Sequence, residues 1–256
     1  MRRRIAALAT VSACLGLAGP LAGASRGDPL PLVQPGSRVK TVGVATCTAG
    51  FVFDGVGRLA RRHYLALAAH CVEGEVGAVV TDAVGNRFGT VAFTMWPYTT
   101  FADDFAFVLL DRASYPRISP AMAGHPSMPT GVAAVGTTAP GDRVQVSGWG
   151  TLTTANATTR EQRVSVLKDH DADFWSSWTV VSPGDSGGPV AHVPTGAALG
   201  SVSNLCVPLP VNHSGGFERV AGCAGYGPSV VGMIRRAAAK GFTVRVRTAA
   251  QGAPRS

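Results

Sequence analysis

Metal-binding spacing is missing from this chain. Its five cysteines form no C-x-x-C pair, and no histidine–cysteine cluster has the spacing of a zinc site. A dense basic run interleaved with aromatics is absent as well. The excess of lysine and arginine therefore reads as a solvated surface, not a nucleic-acid interface. No internal repeat is visible. The apolar stretch near the N-terminus is broken by glycine and proline, which suits it poorly to a permanent membrane span.

That stretch fits an export signal instead. Met1-Arg2-Arg3-Arg4 is a basic start, an alanine- and leucine-rich segment runs to Leu21, and Ala22-Gly23-Ala24 offers a small-x-small cleavage site before Ser25. A second reading places a lipoprotein signal at Val11-Ser12-Ala13-Cys14, with a lipid on Cys14 at the cell surface. Removing residues 1–24 from the 256 leaves 232, enough for one large or two small domains. It also takes away three arginines and no acid, so the formal charge falls from +8 to +5. Cys47, Cys71, Cys206 and Cys223 remain. An even number in an exported chain predicts disulfides, and four cysteines allow three pairings.

Residues 25 to about 40 read as an extended arm or short propeptide. From Val39 onward the pattern is all-β: short β-branched and aromatic runs separated by Gly, Asp and Asn, as in Gly50-Phe51-Val52-Phe53 and Asp104 to Leu110. Pro116, Pro120, Pro126, Pro129 and Pro140 interrupt it, and proline at that density breaks a ladder. The interdomain connection is expected near residue 124, so that residues 25–124 form an arm and a first β unit and 125–256 a second. Further β runs begin at Arg143. Ser229 to Lys240 reads as a helix, capped by Ser229 and ended by Gly241, with a final strand in Phe242 to Val246.

The chemistry-bearing stretch is Gly184-Asp185-Ser186-Gly187-Gly188-Pro189. Glycines around a serine permit a tight turn that lifts its hydroxyl clear. In such a turn the amides of Gly184 and Ser186 can point into one small space and hold a developing oxyanion. A serine hydroxyl needs a base, and the base needs an orienting group. Ala68-Ala69-His70-Cys71 follows an apolar run and offers the base; His63, His125, His170, His192 and His213 lack such a setting. Asp104 directly precedes an apolar run and offers the orienting acid. Asp103 and Asp111 compete for that role, and Asp103 reads as a solvated neighbour.

The order His70, Asp104, Ser186 and the sequences around them resemble the chymotrypsin-like (trypsin-fold) serine endopeptidases over most of the chain after residue 40. The helix preceded by Pro228, and Ala198-Leu199-Gly200 before Ser203, resemble the secreted bacterial branch typified by streptogrisins. The resemblance implies two six-stranded antiparallel β-barrels with a C-terminal helix. It implies hydrolysis of peptide bonds with Ser186 as nucleophile, His70 as general base and Asp104 orienting His70, in a monomer acting on protein or peptide substrates without a cofactor. It pairs Cys47 with Cys71, leaving Cys206 to Cys223, and makes Ser203 a support for Asp104.

The chain departs from the family at three places. No Ile-Val-Gly-Gly start precedes Cys47, and Val146 stands where the bacterial branch carries an arginine to neutralise the residue equivalent to Asp185; Arg143 is the nearest substitute. Relatives that cut after basic residues carry an aspartate where this chain has Val180. A pocket walled by Val180, Ser182, Ser203 and Tyr226 would prefer a neutral or apolar side chain. The alternatives are a catalytically silent exported binding protein on the same scaffold and an esterase or acyl transferase using the same three residues.

Overall fold

The computed structural model describes residues 31–41, 46–150, 160–205 and 225–254. Residues 1–24, with Cys14, lie outside the described residues, as do Cys206 and Cys223. Seven strands come from the N-terminal half: β1 (Arg38–Thr41), β2 (Cys47–Thr48), β3 (Val52–Gly55), β4 (His63–Leu67), β5 (Val79–Asp82), β6 (Arg87–Thr94) and β7 (Ala106–Leu110). Seven follow the proline-rich stretch: β8 (Arg143–Gly148), β9 (Glu161–His170), β10 (Phe174–Ser177), β11 (Pro189–His192), β12 (Ala197–Ser201), β13 (Asn204–Leu205) and β14 (Gly225–Pro228). The helix α1 (Val230–Ala239) and strand β15 (Val244–Val246) end the chain.

These strands form two curled antiparallel sheets, ordered β15-β3-β4-β7-β6-β5-β1-β2 and β12-β11-β8-β9-β10-β14-β13. Without the two-residue pieces β2 and β13 and the late strand β15, each sheet has six strands. The fold is the all-β double barrel that the resemblance implies. β15 crosses back from the second half to pair with β3, through Arg245↔Asp54 and Val246↔Phe53. The proline-rich connection contributes only a 3₁₀ turn (Arg112–Arg117) and isolated bridges such as Met122↔His125, as expected of residues with no N–H to donate.

Strands β4 and β7 are apolar without alternation because both of their faces are buried. Leu65, Leu67, Val108 and Leu110 point into the first barrel. Tyr64, Ala66, Phe105 and Phe107 point the other way, into a layer shared with the helix residues Val230, Met233 and Ala237. Each fully buried aromatic or aliphatic side chain contributes about 1.5–3 kcal/mol relative to exposure, which is why the helix docks there. Phe242, just after the helix, stacks on Phe107 with ring centroids 5.5 Å apart. The second barrel is filled around Trp175, Leu167, Val190 and Leu199.

The helix begins as its sequence predicts. The Gly232 amide donates to Ser229 Oγ at 3.0 Å, and Gly241 takes a φ of +77° just past its end. Among the described residues no helix is long and apolar enough to cross a membrane.

Candidate active site

Strand register brings the chemistry-bearing loops together. In the β4–β7 pair, Leu67 lies opposite Ala106. The chain leaving β4 therefore runs beside the chain entering β7, and these two segments carry His70 and Asp104. In the β11–β12 pair, Pro189 lies opposite Ser201. The segment entering β11, with Ser186, thus runs beside the segment leaving β12, with Ser203. Gly187 N donates to Val202 O at 2.7 Å, and Val202 N donates to Gly188 O at 2.9 Å.

Asp104 joins the two pairs. It is fully buried, and its carboxylate accepts the His70 backbone N–H at 3.0 Å. His70 Nδ1 lies 2.8 Å from Asp104 Oδ2. A carboxylate can only accept, so Nδ1 carries a proton, and in the neutral imidazole Nε2 is then the acceptor. The Ser203 hydroxyl donates to the same carboxylate. The His70 side chain keeps 29% of its surface exposed, so its outer edge is open to an incoming group.

Ser186 is half-buried on the turn before β11. Gly184 has φ +104° and Gly187 +86°, values that side chains avoid. The turn abuts the His70 loop: a Cβ on Gly187 would meet Ala68 N at 3.0 Å and Leu67 Cα at 3.3 Å. The Thr48 amide donates to Ser186 O at 2.9 Å. Cys47, beside Thr48, is bonded to Cys71, beside His70. The disulfide thus ties the base loop to the strand that grips the serine loop.

Asp185 points inward and is fully buried. Its partner is Arg163, which sequence reasoning missed. Arg163 Nη1 donates to Oδ2 at 2.8 Å and Nη2 to Oδ1 at 2.6 Å, a bidentate pair. The amides of Gly150 and Ser182 donate to the same carboxylate at 2.8 and 2.9 Å. Arg163 lies on β9 directly across from Val146. The guanidinium therefore arrives from the strand next to the one where the bacterial branch carries it. Arg143 lies three residues further along β8, opposite Val166. A Cβ on Gly148 or Gly150 would overlap this carboxylate, which explains the Gly148-Trp149-Gly150 sequence.

Asp103 corrects an expectation. It is buried, not solvated: Arg236 Nη1 of α1 donates to it at 2.8 Å, and the Thr100 hydroxyl donates to it at 3.1 Å. Arg236 Nη2 also donates to Asp173 at 2.9 Å, so one guanidinium bridges the turn before Asp104 to the β9–β10 hairpin. Asp111 faces away, paired with Arg87 at 2.9 Å.

The expected pocket residues separate. Ser203 and Tyr226 are buried together, with Ser203 N donating to Tyr226 O at 3.0 Å. Burial pushes the Tyr226 phenol far above its usual range, so it stays neutral. Ser182 is turned to Asp185. Val180 is 58% exposed, and its carbonyl accepts from Arg163 at 2.6 Å. Among the described residues no three His, Cys, Asp or Glu side chains are grouped to hold a metal ion.

No protein-family model matches the sequence, and no curated protein is significantly similar to it. Solved structures do match. An alpha-lytic protease homolog, N4, superposes with a TM-score of 0.50 at 14% identity, over 84% of this chain and all of that one. The Rv3671c protease in its inactive form superposes at 0.51 with 17% identity, over 81% and 89% of the two chains. A second structure of that protein, from M. tuberculosis, gives 0.50 at 16%, over 80% and 85%. Together with the two curled sheets and the loops they bring into contact, these likenesses give the chain the fold of the chymotrypsin-like serine proteases.

Proposed function

We propose that this protein is a secreted serine endopeptidase. Ser186 Oγ attacks the scissile carbonyl carbon while His70 Nε2 takes its proton. The amides of Gly184 and Ser186 hold the resulting oxyanion. Collapse expels the amine, which takes the proton from His70, and leaves an acyl-enzyme. Water then repeats the sequence, activated by His70, and releases the acid. Asp104 keeps the proton on Nδ1 and stabilises the imidazolium that forms.

One observation carries the reading. Asp104 is buried between His70 and Ser203, and the strand register that places Ser203 also places the Ser186 turn. A buried carboxylate oriented on a partly exposed imidazole, beside a serine turn braced by a bidentate arginine, is costly to assemble and matches the needs of acyl transfer. Ser203 and Tyr226, which stay together, are both uncharged, which supports a preference for a neutral or apolar side chain before the cut bond. The pattern of residues 1–24 and the Cys47–Cys71 disulfide support an extracellular location.

The test is the intact mass after treatment with a fluorophosphonate. The expected result is one adduct on the native protein and none on Ser186→Ala. A folded native protein that takes no adduct, or a Ser186→Ala protein that still does, overturns the assignment.

A further inference from the structure

Thr48, besides gripping the Ser186 carbonyl, contacts Gly184 and Gly188 of the serine turn and Trp149 beside it. It lies on β2 in the first sheet and is fully buried. Its hydroxyl donates to Gly184 O at 2.7 Å and accepts from Trp149 N at 3.2 Å. Its amide donates to Ser186 O at 2.9 Å. Its methyl packs against Gly188, where an added Cβ would stand 3.3 Å away. The hydroxyl thus holds the start of the turn and the residue before Gly150, while the backbone amide of the same residue holds the carbonyl of the serine itself.

The consequence follows from the backbone at Gly184. Glycine at φ +104° has no Cβ to restrict it, so the direction of the peptide joining Gly184 to Asp185 is set by its hydrogen bonds, and its N–H donates to Ser182 O at 3.0 Å. Asp185 anchors the far side of that peptide through its carboxylate. The carbonyl of Gly184 is fixed by the Thr48 hydroxyl. With this peptide fixed, the two peptides that flank it, which carry the Gly184 and Ser186 N–H groups, are held in direction from either side.

We infer that Thr48 is a positioning residue for the oxyanion site, acting from the opposite barrel through its hydroxyl. The inference rests on the endopeptidase reading, because it assigns work to the amides which that reading uses.

The experiment compares Thr48→Val, which keeps the size and removes the hydroxyl, with Thr48→Ser, which keeps the hydroxyl and removes the methyl. In Thr48→Val the rate constant of fluorophosphonate labelling should fall about tenfold, the scale of one lost hydrogen bond in a buried turn. On a peptide ester, kcat should fall with it while KM stays within about twofold. Thr48→Ser should label within about twofold of native. The acid limb of the pH profile should not move in either, because Thr48 acts on the amides and not on His70. Native-like labelling of Thr48→Val, equal losses in both variants, or a moved acid limb each overturn the inference. Amide hydrogen exchange supplies a readout independent of activity. Thr48→Val should lose protection at Trp149 while the β4 and β7 amides keep theirs. Unchanged exchange at Trp149 overturns the inference even in a protein that no fluorophosphonate labels.

Discussion

Two imidazole–carboxylate pairs stand at opposite ends of strand β4. At its start, His63 Nδ1 lies 2.8 Å from Asp54 Oδ1; just past its end, His70 Nδ1 lies 2.8 Å from Asp104 Oδ2. By that distance the pairs are indistinguishable. Their surroundings differ. Asp54 also accepts from Arg247 Nη1 at 3.0 Å, and the His63 ring meets Tyr115 edge-on at 5.0 Å, with its side chain 10% exposed. Asp104 has a neutral third partner, Ser203, and the outer edge of His70 is open beside the serine turn. A carboxylate that already faces a guanidinium has little more to gain from a positive imidazole. One with only neutral donors around it keeps its full attraction for an imidazolium formed in the reaction. The first pair ties the C-terminal segment to the barrel, and the second has the open imidazole edge that the proposed proton transfer requires.

The sharpest way to break this distinction is a matched substitution. Asp104→Asn should lower the labelling and hydrolysis rates by about 10⁴-fold, because an amide no longer enforces the Nδ1–H tautomer. Asp54→Asn should leave the labelling rate nearly native and lower the melting temperature. A folded Asp54→Asn protein that labels as poorly as Asp104→Asn removes the distinction.

Asp185 extends the comparison to a third buried carboxylate, one whose charged partner is a bidentate guanidinium with no imidazole beside it. Arg163→Ala should cost about 3–5 kcal/mol, the scale for a buried ion pair that loses one partner, and should abolish labelling. The exchange Val146→Arg with Arg163→Val should recover part of both, because the two positions face each other across β8 and β9. Urea melts and labelling of the single and double variants test this.

A smaller effect is expected at the other pair. Arg247→Ala leaves Asp54 with His63 as its remaining ionic partner and should cost about 2 kcal/mol in a urea melt, with labelling unchanged. The smallest effect is in acid. Burial alone would raise the Asp54 carboxyl, but its hydrogen bonds to His63 and Arg247 outweigh that and hold it below its usual value. The folded state thus binds this proton more weakly than the unfolded chain. The stability that Asp54 supplies is complete above the unfolded value near 3.9 and is lost as pH falls through the lower folded value. Melts of native protein and Asp54→Asn should converge across that window and stay apart above it. Curves that remain parallel below pH 4 would contradict the assignment.

Much of the fold was legible in the chain because local rules carry it. The β runs, the helix from Ser229 to its glycine stop and the proline-rich interruption each follow from residue type and spacing. The loops carrying His70, Asp104 and Ser186 were legible as well, since each sits at the edge of an apolar run or in a glycine turn. Partners were not. Asp103 read as solvated because nothing near it in sequence could neutralise it. Arg236, 133 residues away, does so. Arg163 was not singled out because its facing Val146 depends on register, which periodicity does not supply.

The sequence by itself determined the all-β character, the order of the chemistry-bearing residues and the positions where the backbone must turn, because these depend on side-chain shape and on neighbours a few residues apart. Tertiary structure alone decided which carboxylate meets which partner. Ser203 reaches Asp104 across 99 residues, Thr48 reaches Gly184 across 136, and Arg247 reaches Asp54 across 193. Over such separations the pairing is set by strand register and by the packing of α1 on the first sheet, and a charge or hydroxyl takes its role from whatever that packing puts within 3 Å.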